Sequence, residues 1–247
     1  MIHRIFQYLQ RVRNARRLGI PFSGNRNFRV PKSMRLGART IPLSYPDEIG
    51  IRNDLLVCLI HDEYGLRQIR TDIRTIVDIG ANVGFFVLAA RASFPDAIIH
   101  AYEPNARSLA YLAENAAAAN ATVFGEAVGA TEGWVVIEDS GDTNQARTSA
   151  ATDGGVRQVA LSEVVDRLGG WIDLAKIDCE GAEWEMLRDP APWKRIGDVR
   201  AEYHLWGRHT YSELEEKFAA LDFEIYLHHS AGEWGTVWAR NRSRSPR

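Results

Sequence analysis

Apolar positions along the chain follow two rhythms, helical first and then alternating between strand and helix. Over residues 2–18, Ile2, Ile5, Phe6, Leu9 and Val12 recur on one face, with the arginines largely elsewhere. This predicts an amphipathic helix ended by Gly19 and Pro21. Residues 20–50 are rich in Gly, Pro, Asn and Ser and predict loops with a weak hairpin over 34–43. A helix is expected over 53–63, with Leu55, Leu56, Leu59 and Ile60 as its apolar face. The group His61, Asp62, Glu63, Tyr64 and Gly65 that closes it reads equally as a wall over a pocket and as an ordinary helix end.

From Thr71 onward short apolar runs alternate with helical patterns, as in a parallel sheet covered by helices. Strands are expected at 75–79, 97–102, 122–124, 172–177 and 198–203, and helices at 85–93, 106–119, 160–168, 184–187 and 211–221. A hairpin is expected at 134–138, then a mobile polar loop over 139–155 near the site. An antiparallel pair, 223–228 with 236–240, closes the fold. The resulting division is an extension or substrate cap at 1–70, an α/β domain at 71–240, and a disordered tail at 241–247.

The strand at 75–79 feeds its helix through Gly80, Ala81, Asn82, Val83 and Gly84. A dinucleotide turn would read G-x-G-x-x-G, and the middle glycine that admits a pyrophosphate is missing here. The form D-x-G-x-x-x-G suits a smaller ligand part, such as the amino-acid end of S-adenosylmethionine. Its ammonium can meet Asp78, and its carboxylate can meet turn N–H groups near the helix start at Phe85. Other acids also stand at predicted strand ends, where open α/β sheets bind their ligands: Glu103, Glu126, Asp178 with Glu180, and Glu202 beside His204. Glu103 follows Asp78 by 25 residues and offers the two acceptor atoms that a pair of ribose hydroxyls requires. Pro104 adjoins it, and Glu126 and Ala127 would flank an adenine ring.

The run from Val77 to Phe86, then Tyr102-Glu103-Pro104-Asn105, then Lys176-Ile177-Asp178-Cys179-Glu180-Gly181-Ala182-Glu183 resembles the FkbM family of S-adenosylmethionine-dependent methyltransferases. The likeness spans roughly residues 71–205. It implies the class I methyltransferase fold: Rossmann-like, seven strands, mostly parallel, in the order 3-2-1-4-5-7-6. It also implies methyl transfer mainly to hydroxyl groups, with sugars of surface polysaccharides or small natural products as acceptors. Asp178, Glu180 and His204 are the candidates for the base that takes a hydroxyl proton, and His204 has the ordinary pKa best suited to neutrality. Glu202 is placed to orient His204. Tyr64 and Trp206 are candidate substrate contacts, and Glu183 is expected on a helix in a structural role. No metal site is expected. Methylation of a nitrogen, or ligand binding without catalysis, are the competing readings.

Composition narrows the setting. A chain of 247 residues with 45% hydrophobic and 25% charged residues can bury a sizeable core. Two distant cysteines, Cys58 and Cys179, give neither a disulfide framework nor a metal motif and fit a reducing, cytoplasmic setting. Neither a membrane-spanning run nor a secretory signal is evident. The net charge of −2 hides an asymmetry. Residues 1–46 hold ten Lys or Arg and no acid, which leaves 20 basic against 32 acidic residues and a net charge of −12 on the remainder. Such an arm could meet membrane phosphates peripherally, meet anionic glycans, or dock on the acidic body. Nucleic acid is not expected as a partner, since the basic residues are confined to the arm and no reading helix is evident. A small molecule or glycan is the expected substrate.

Overall fold

The computed structural model describes residues 2–69, 72–138, 147–151 and 155–243. An amphipathic helix α1 (Ile2–Arg17) leads to a hairpin of β1 (Ser33–Leu36) and β2 (Arg39–Pro42). Helix α2 (Ile49–Leu55) starts earlier than its apolar pattern suggests and widens into a π-helical turn, Leu56–His61. Asp62 ends that turn in the left-handed region (φ 57°), and its carboxylate accepts from Leu66 N at 3.0 Å and Arg67 N at 3.2 Å. A short polar side chain tolerates that backbone because it can bond locally.

The alternating region supplies β3 (Thr75–Ile79), α3 (Phe85–Ser93), β4 (Ile98–Tyr102), α4 (Ala106–Ala119) and β5 (Thr122–Phe124). Next come β6 (Ala127–Gly129), β7 (Gly133–Glu138), β8 (Arg147–Ala151), β9 (Val156–Ala160), α5 (Leu161–Arg167) and β10 (Ile172–Ile177). The chain continues through α6 (Glu183–Met186), β11 (Ile196–His204), α7 (Tyr211–Ala220), β12 (Phe223–Ser230) and β13 (Trp234–Asn241).

Seven strands form one sheet in the order β5-β4-β3-β10-β11-β13-β12, which is the 3-2-1-4-5-7-6 arrangement of a class I methyltransferase. The β3–β4, β4–β5, β3–β10 and β10–β11 pairs are parallel, and β13 runs antiparallel to both its neighbours. The order of the chain reverses between β3 and β10, so the carboxyl ends of these two strands border the crevice where such sheets take ligands.

A second sheet, β6-β9-β7-β8, lies outside the sequence-based expectation. The polar stretch expected as a loop over 139–155 holds β8 in its described part, while residues 139–146 and 152–154 lie outside the described residues. Main-chain pairing with β7 holds β8, and that pairing leaves no apolar alternation to read in Arg-Thr-Ser-Ala-Ala. Of the tail expected at 241–247, Asn241 closes β13, Arg242 N donates to Asp222 O and Ser243 N to Asn241 Oδ1, while residues 244–247 lie outside the described residues.

Two cores cover the two faces of the large sheet. Successive residues of β3 point oppositely, so Ile76 joins one core and Val77 the other. The first core unites α3 and α4 with Leu18, Met34, Leu55, Leu59 and Leu66 of the extension, so much of the first 70 residues packs directly on the sheet's helical layer. Asn115 of α4 fastens this contact. Its Nδ2 donates to Ser44 O and Val83 O, both at 2.7 Å, and its Oδ1 accepts from Ser44 N at 3.0 Å. Among the described residues no helix is long and apolar enough to cross a membrane.

Candidate functional site

At the end of β3 the chain turns through Gly80 (φ 75°) and Asn82 (φ 46°) before α3 begins. Gly80 N and Ala81 N both donate to Tyr102 O at 3.0 Å, and Asn82 N donates to Glu103 Oε2 at 2.8 Å. The other oxygen of Glu103 accepts from Asn105 N at 2.8 Å. Two backbone donors therefore orient the Glu103 carboxylate at the end of β4. Each of its oxygens keeps a further lone pair. Burial raises the Glu103 pKa to about 7, against the pull of these two bonds.

A cavity of about 480 Å³ opens beside this turn, within the size range of small-molecule sites. Gly80, Ala81, Asn82, Phe85, Glu103 and Pro104 line one end of it, and Glu126 and Ala127 lie along the same wall. Asp178, Glu180, Glu202, His204, Tyr64 and Trp206 line it too. Thus residues from the extension, the turn after β3 and the ends of β4, β10 and β11 converge on one space.

Two predicted residues stand elsewhere. Gly84 is not on the cavity wall. A Cβ there would come within 2.8 Å of Leu112, so its smallness serves the contact between α3 and α4. Asp78 is completely buried behind the wall and faces Lys176 Nζ at 3.2 Å. Burial lifts its pKa to about 6, while the lysine's charge opposes the rise. Glu126 reaches the cavity, but its carboxylate is gripped by Arg157 and Arg167, which hold its pKa below the usual carboxylate range.

Lys176 carries no assigned role in the sequence reading, yet it ties the site together. Its Nζ donates to Gly80 O at 2.6 Å and lies 3.2 Å from Asp78 Oδ1 and 3.5 Å from Asp178 Oδ2. The available signal was one lysine inside the otherwise buried run of β10. A buried cation needs more than one anionic partner. Glu233 and Trp234 also line the cavity and were missed. The pairing of Trp234 with His204 across β13 and β11 brings them there, and no local pattern marks it.

The other end of the cavity is a cluster around His204. Its Nε2 lies 3.5 Å from both Glu180 Oε2 and Glu202 Oε1, and its Nδ1 lies 3.5 Å from Glu183 Oε1. Burial alone would lower the ring's pKa, but the contacts with Glu183 and Glu202 and the charge of Glu180 push it up to about 10. His204 is therefore a held imidazolium near neutrality, and the expectation that it is the best-matched base is corrected: three carboxylates favour its charged form. Glu180 is instead the candidate whose pKa lies near neutrality. Burial raises its pKa to about 7, opposed by His204, and Asp178 and Glu202 push the same way as burial. Glu180 sits in the left-handed region (φ 52°), and Gly181 follows at φ 99° with Trp206 close enough to exclude a Cβ at 2.8 Å. A non-glycine residue in that region costs of order 1–3 kcal/mol and marks a turn shaped for its side chain.

The remaining side chains brace this arrangement. Tyr64 donates its hydroxyl to Asp178 Oδ2 at 3.1 Å and meets Phe86 edge-on at 5.1 Å, so the segment after the π turn forms a cavity wall. Trp206 leans on His204 with ring centres 4.5 Å apart. Glu183 is structural as expected: it accepts from Cys179 N at 3.1 Å. Among the described residues no three His, Cys, Asp or Glu side chains are arranged to hold a metal ion.

These pKa directions predict how stability varies with pH. Asp78, Glu103, Glu180 and His204 all bind protons more tightly folded than unfolded. The stability they contribute is complete below their unfolded values. It drains as pH rises through the folded ones, the carboxyls from about pH 4 to 7 and His204 from about 6.5 to 10. Glu126, shifted oppositely, contributes stability that is complete above about pH 4.5 and is lost as pH falls below it. The melting temperature of the ligand-free protein is expected to fall by several degrees between pH 5 and 9. A melting temperature that rises over this interval would contradict the burial of these groups.

The family profile described as the methyltransferase FkbM domain matches residues 78–225, which is more than half of the chain. No curated protein matches the chain. Among solved structures, the ribosomal protein L11 methylase of Lactobacillus delbrueckii subsp. bulgaricus aligns at 15% identity over 81% of each chain, with a TM-score of 0.47. The precorrin-6y C5,15-methyltransferase of Geobacter metallireducens GS-15 aligns at 15% identity over 74% of this chain and 87% of its own, with a TM-score of 0.46. TrmK of M. capricolum, solved with S-adenosyl-homocysteine, aligns at 11% identity over 75% of this chain and 70% of its own, with a TM-score of 0.45.

Proposed function

The chain belongs to the FkbM family of S-adenosylmethionine-dependent methyltransferases, and from that premise we propose that it methylates a hydroxyl group of a sugar, a polysaccharide or a small natural product. The cavity suits the donor. Glu103 is fixed by two backbone N–H groups and can accept from ribose hydroxyls. Asn105 lines the same wall, and its Nδ2 is buried without a hydrogen-bond partner, so it can donate to a bound oxygen or nitrogen. Gly80, Ala81, Asn82 and Phe85 would hold the amino-acid end, with Asp78 acting from behind through Lys176. When bound, S-adenosylmethionine supplies the electrophilic methyl group.

The observation that carries the hydroxyl reading is Glu180. An alcohol is a poor nucleophile until a base takes its proton, and Glu180 opens on the cavity with a pKa of about 7. Its Oε atoms receive the acceptor's proton, and the His204 imidazolium 3.5 Å away stabilises the Glu180 carboxylate. Asp178, fixed by Tyr64, is placed to orient the acceptor, and the rings of Trp206 and Trp234 offer apolar faces to a sugar. A second reading, methylation of an amine, draws on the carboxylates of Asp178, Glu180, Glu202 and Glu233 lining the same cavity, which would attract an ammonium group.

Release of S-adenosylhomocysteine against matched panels of neutral sugars, hydroxylated small molecules and amines separates the two readings. Turnover is expected with hydroxyl acceptors, increasing as pH rises toward 7. Turnover confined to amines would replace the first reading with the second.

A further inference from the structure

Helix α1 turns its apolar stripe away from the protein. Residues 4–9 are exposed on every side, and burial starts only at Asn14, Ala15 and Leu18. At about 100° per residue, Ile5, Phe6 and Leu9 share one stripe, and the buried trio lies about half a turn around the helix from it. Ile5 is 54% exposed, Phe6 64% and Leu9 58%. The body is engaged on the opposite side, where Asn14 Nδ2 donates to Ile60 O at 2.8 Å. The amphipathic pattern of this helix therefore does not build the core. A half-helix projecting from its support gains little from packing, and isolated helices of this length are marginal in water.

We propose that α1 lies in the interface of an anionic lipid bilayer, with Ile5, Phe6 and Leu9 among the acyl chains and its arginines at the headgroups. Charge selects this occupant. The helix carries Arg4, Arg11, Arg13, Arg16 and Arg17, and residues 1–46 contain no acid, so nothing in the arm repels a phosphate surface. At the foot of α1 a cavity of about 350 Å³ is lined by Arg17, Arg35, Arg39 and Arg91 and, among the described residues, by no acidic side chain. Arg17, Arg39 and Arg91 donate to the carbonyls that end α3 and α4, Ala92 O from Arg17, Ala118 O from Arg39 and Ala119 O from Arg91, so these three are fixed as a positive shelf at the foot of α1. The rest of the chain, at −12, is repelled by the same surface, so only the arm approaches it. A second copy of the chain would set five arginines against five arginines, which disfavours a dimer through this face.

The test is co-sedimentation of the full chain with phosphatidylcholine vesicles, with and without 30% phosphatidylglycerol, at 0.1 M salt. Binding to the anionic vesicles is expected to exceed binding to the neutral ones by at least tenfold. The triple variant Ile5→Ser, Phe6→Ser, Leu9→Ser is expected to lose at least tenfold of that binding with an unchanged melting temperature, since the three side chains are exposed. A separate variant, Arg11→Gln with Arg13→Gln, is expected to weaken binding to anionic vesicles only. Equal binding to neutral and anionic vesicles overturns the proposal, and so does unaltered binding by the triple variant. Absence of vesicle binding, with a dimer in sedimentation that the triple variant dissolves, overturns it in favour of self-association.

Discussion

Replacing Glu180 with glutamine is expected to lower kcat by about 10²–10⁴-fold, the usual contribution of a positioned base, while the affinity for S-adenosylhomocysteine changes little. Glutamine keeps the shape and tolerates the backbone at φ 52° about as well as glutamate, so the turn after β10 persists. What disappears is the proposed acceptor for the hydroxyl proton. The cofactor end of the cavity is untouched, because its polar fixtures come from Glu103, Asn105 and the turn after β3. In the wild type, log kcat/KM should rise with pH and level off above about 7, the value to which burial raises Glu180. The variant should lack that limb. Steady-state kinetics from pH 5.5 to 9, with calorimetry for the product, checks both halves. A variant within threefold of wild type would remove Glu180 from the chemistry and turn attention to Asp178.

Gly80→Ala is expected to destabilise the protein by roughly 3–5 kcal/mol, combining a left-handed backbone with overpacking, and to abolish measurable cofactor binding. A Cβ at Gly80 would fall 1.8 Å from Asp178 O and 2.8 Å from its carbonyl carbon. Neither chain can step aside cheaply. Gly80 N is bonded to Tyr102 O, Gly80 O to Lys176 Nζ, and Asp178 N to Ile79 O. Relief therefore means parting β3 from β10 at the crevice itself. For a chain of this size the drop in melting temperature should be about 6–20 °C. Gly133→Ala is the control: nothing lies within 4 Å of its added Cβ, and a change under about 1 kcal/mol is expected. Thermal melts and calorimetry together decide the matter. A Gly80→Ala protein with wild-type melting and cofactor affinity would mean that the two strand ends are not in contact as described.

Particular residues show why some of the site was legible and some was not. Glu103, Asp178 and Glu180 stand beside glycines, prolines and strand ends, and each of these signals is local. Their convergence follows once a parallel sheet with its order reversal is inferred. Lys176 was visible as a letter, but its role was not. The three partners of its ammonium come from the turn after β3, from β3 itself and from the end of β10. His204 was misjudged for the same kind of reason. Its ordinary pKa suits a base, but Glu180, Glu183 and Glu202 surround it from two strand ends and a helix, and together they hold it charged.

The strand order followed from the resemblance to the FkbM family, while the sequence by itself determined the alternation of strands and helices, the glycine turn after β3, the acid at the end of β4 and the basic arm. Each rests on a repeat, a spacing or a composition within one short segment. The tertiary structure alone decided which carboxyls burial raises toward neutrality, that Asp78 lies behind the wall against Lys176, that Gly84 serves packing, and that the apolar stripe of α1 faces outward. Proton affinity depends on burial and on charges brought from distant segments. A helical pattern fixes which residues share a face, and only the packed fold fixes where that face points.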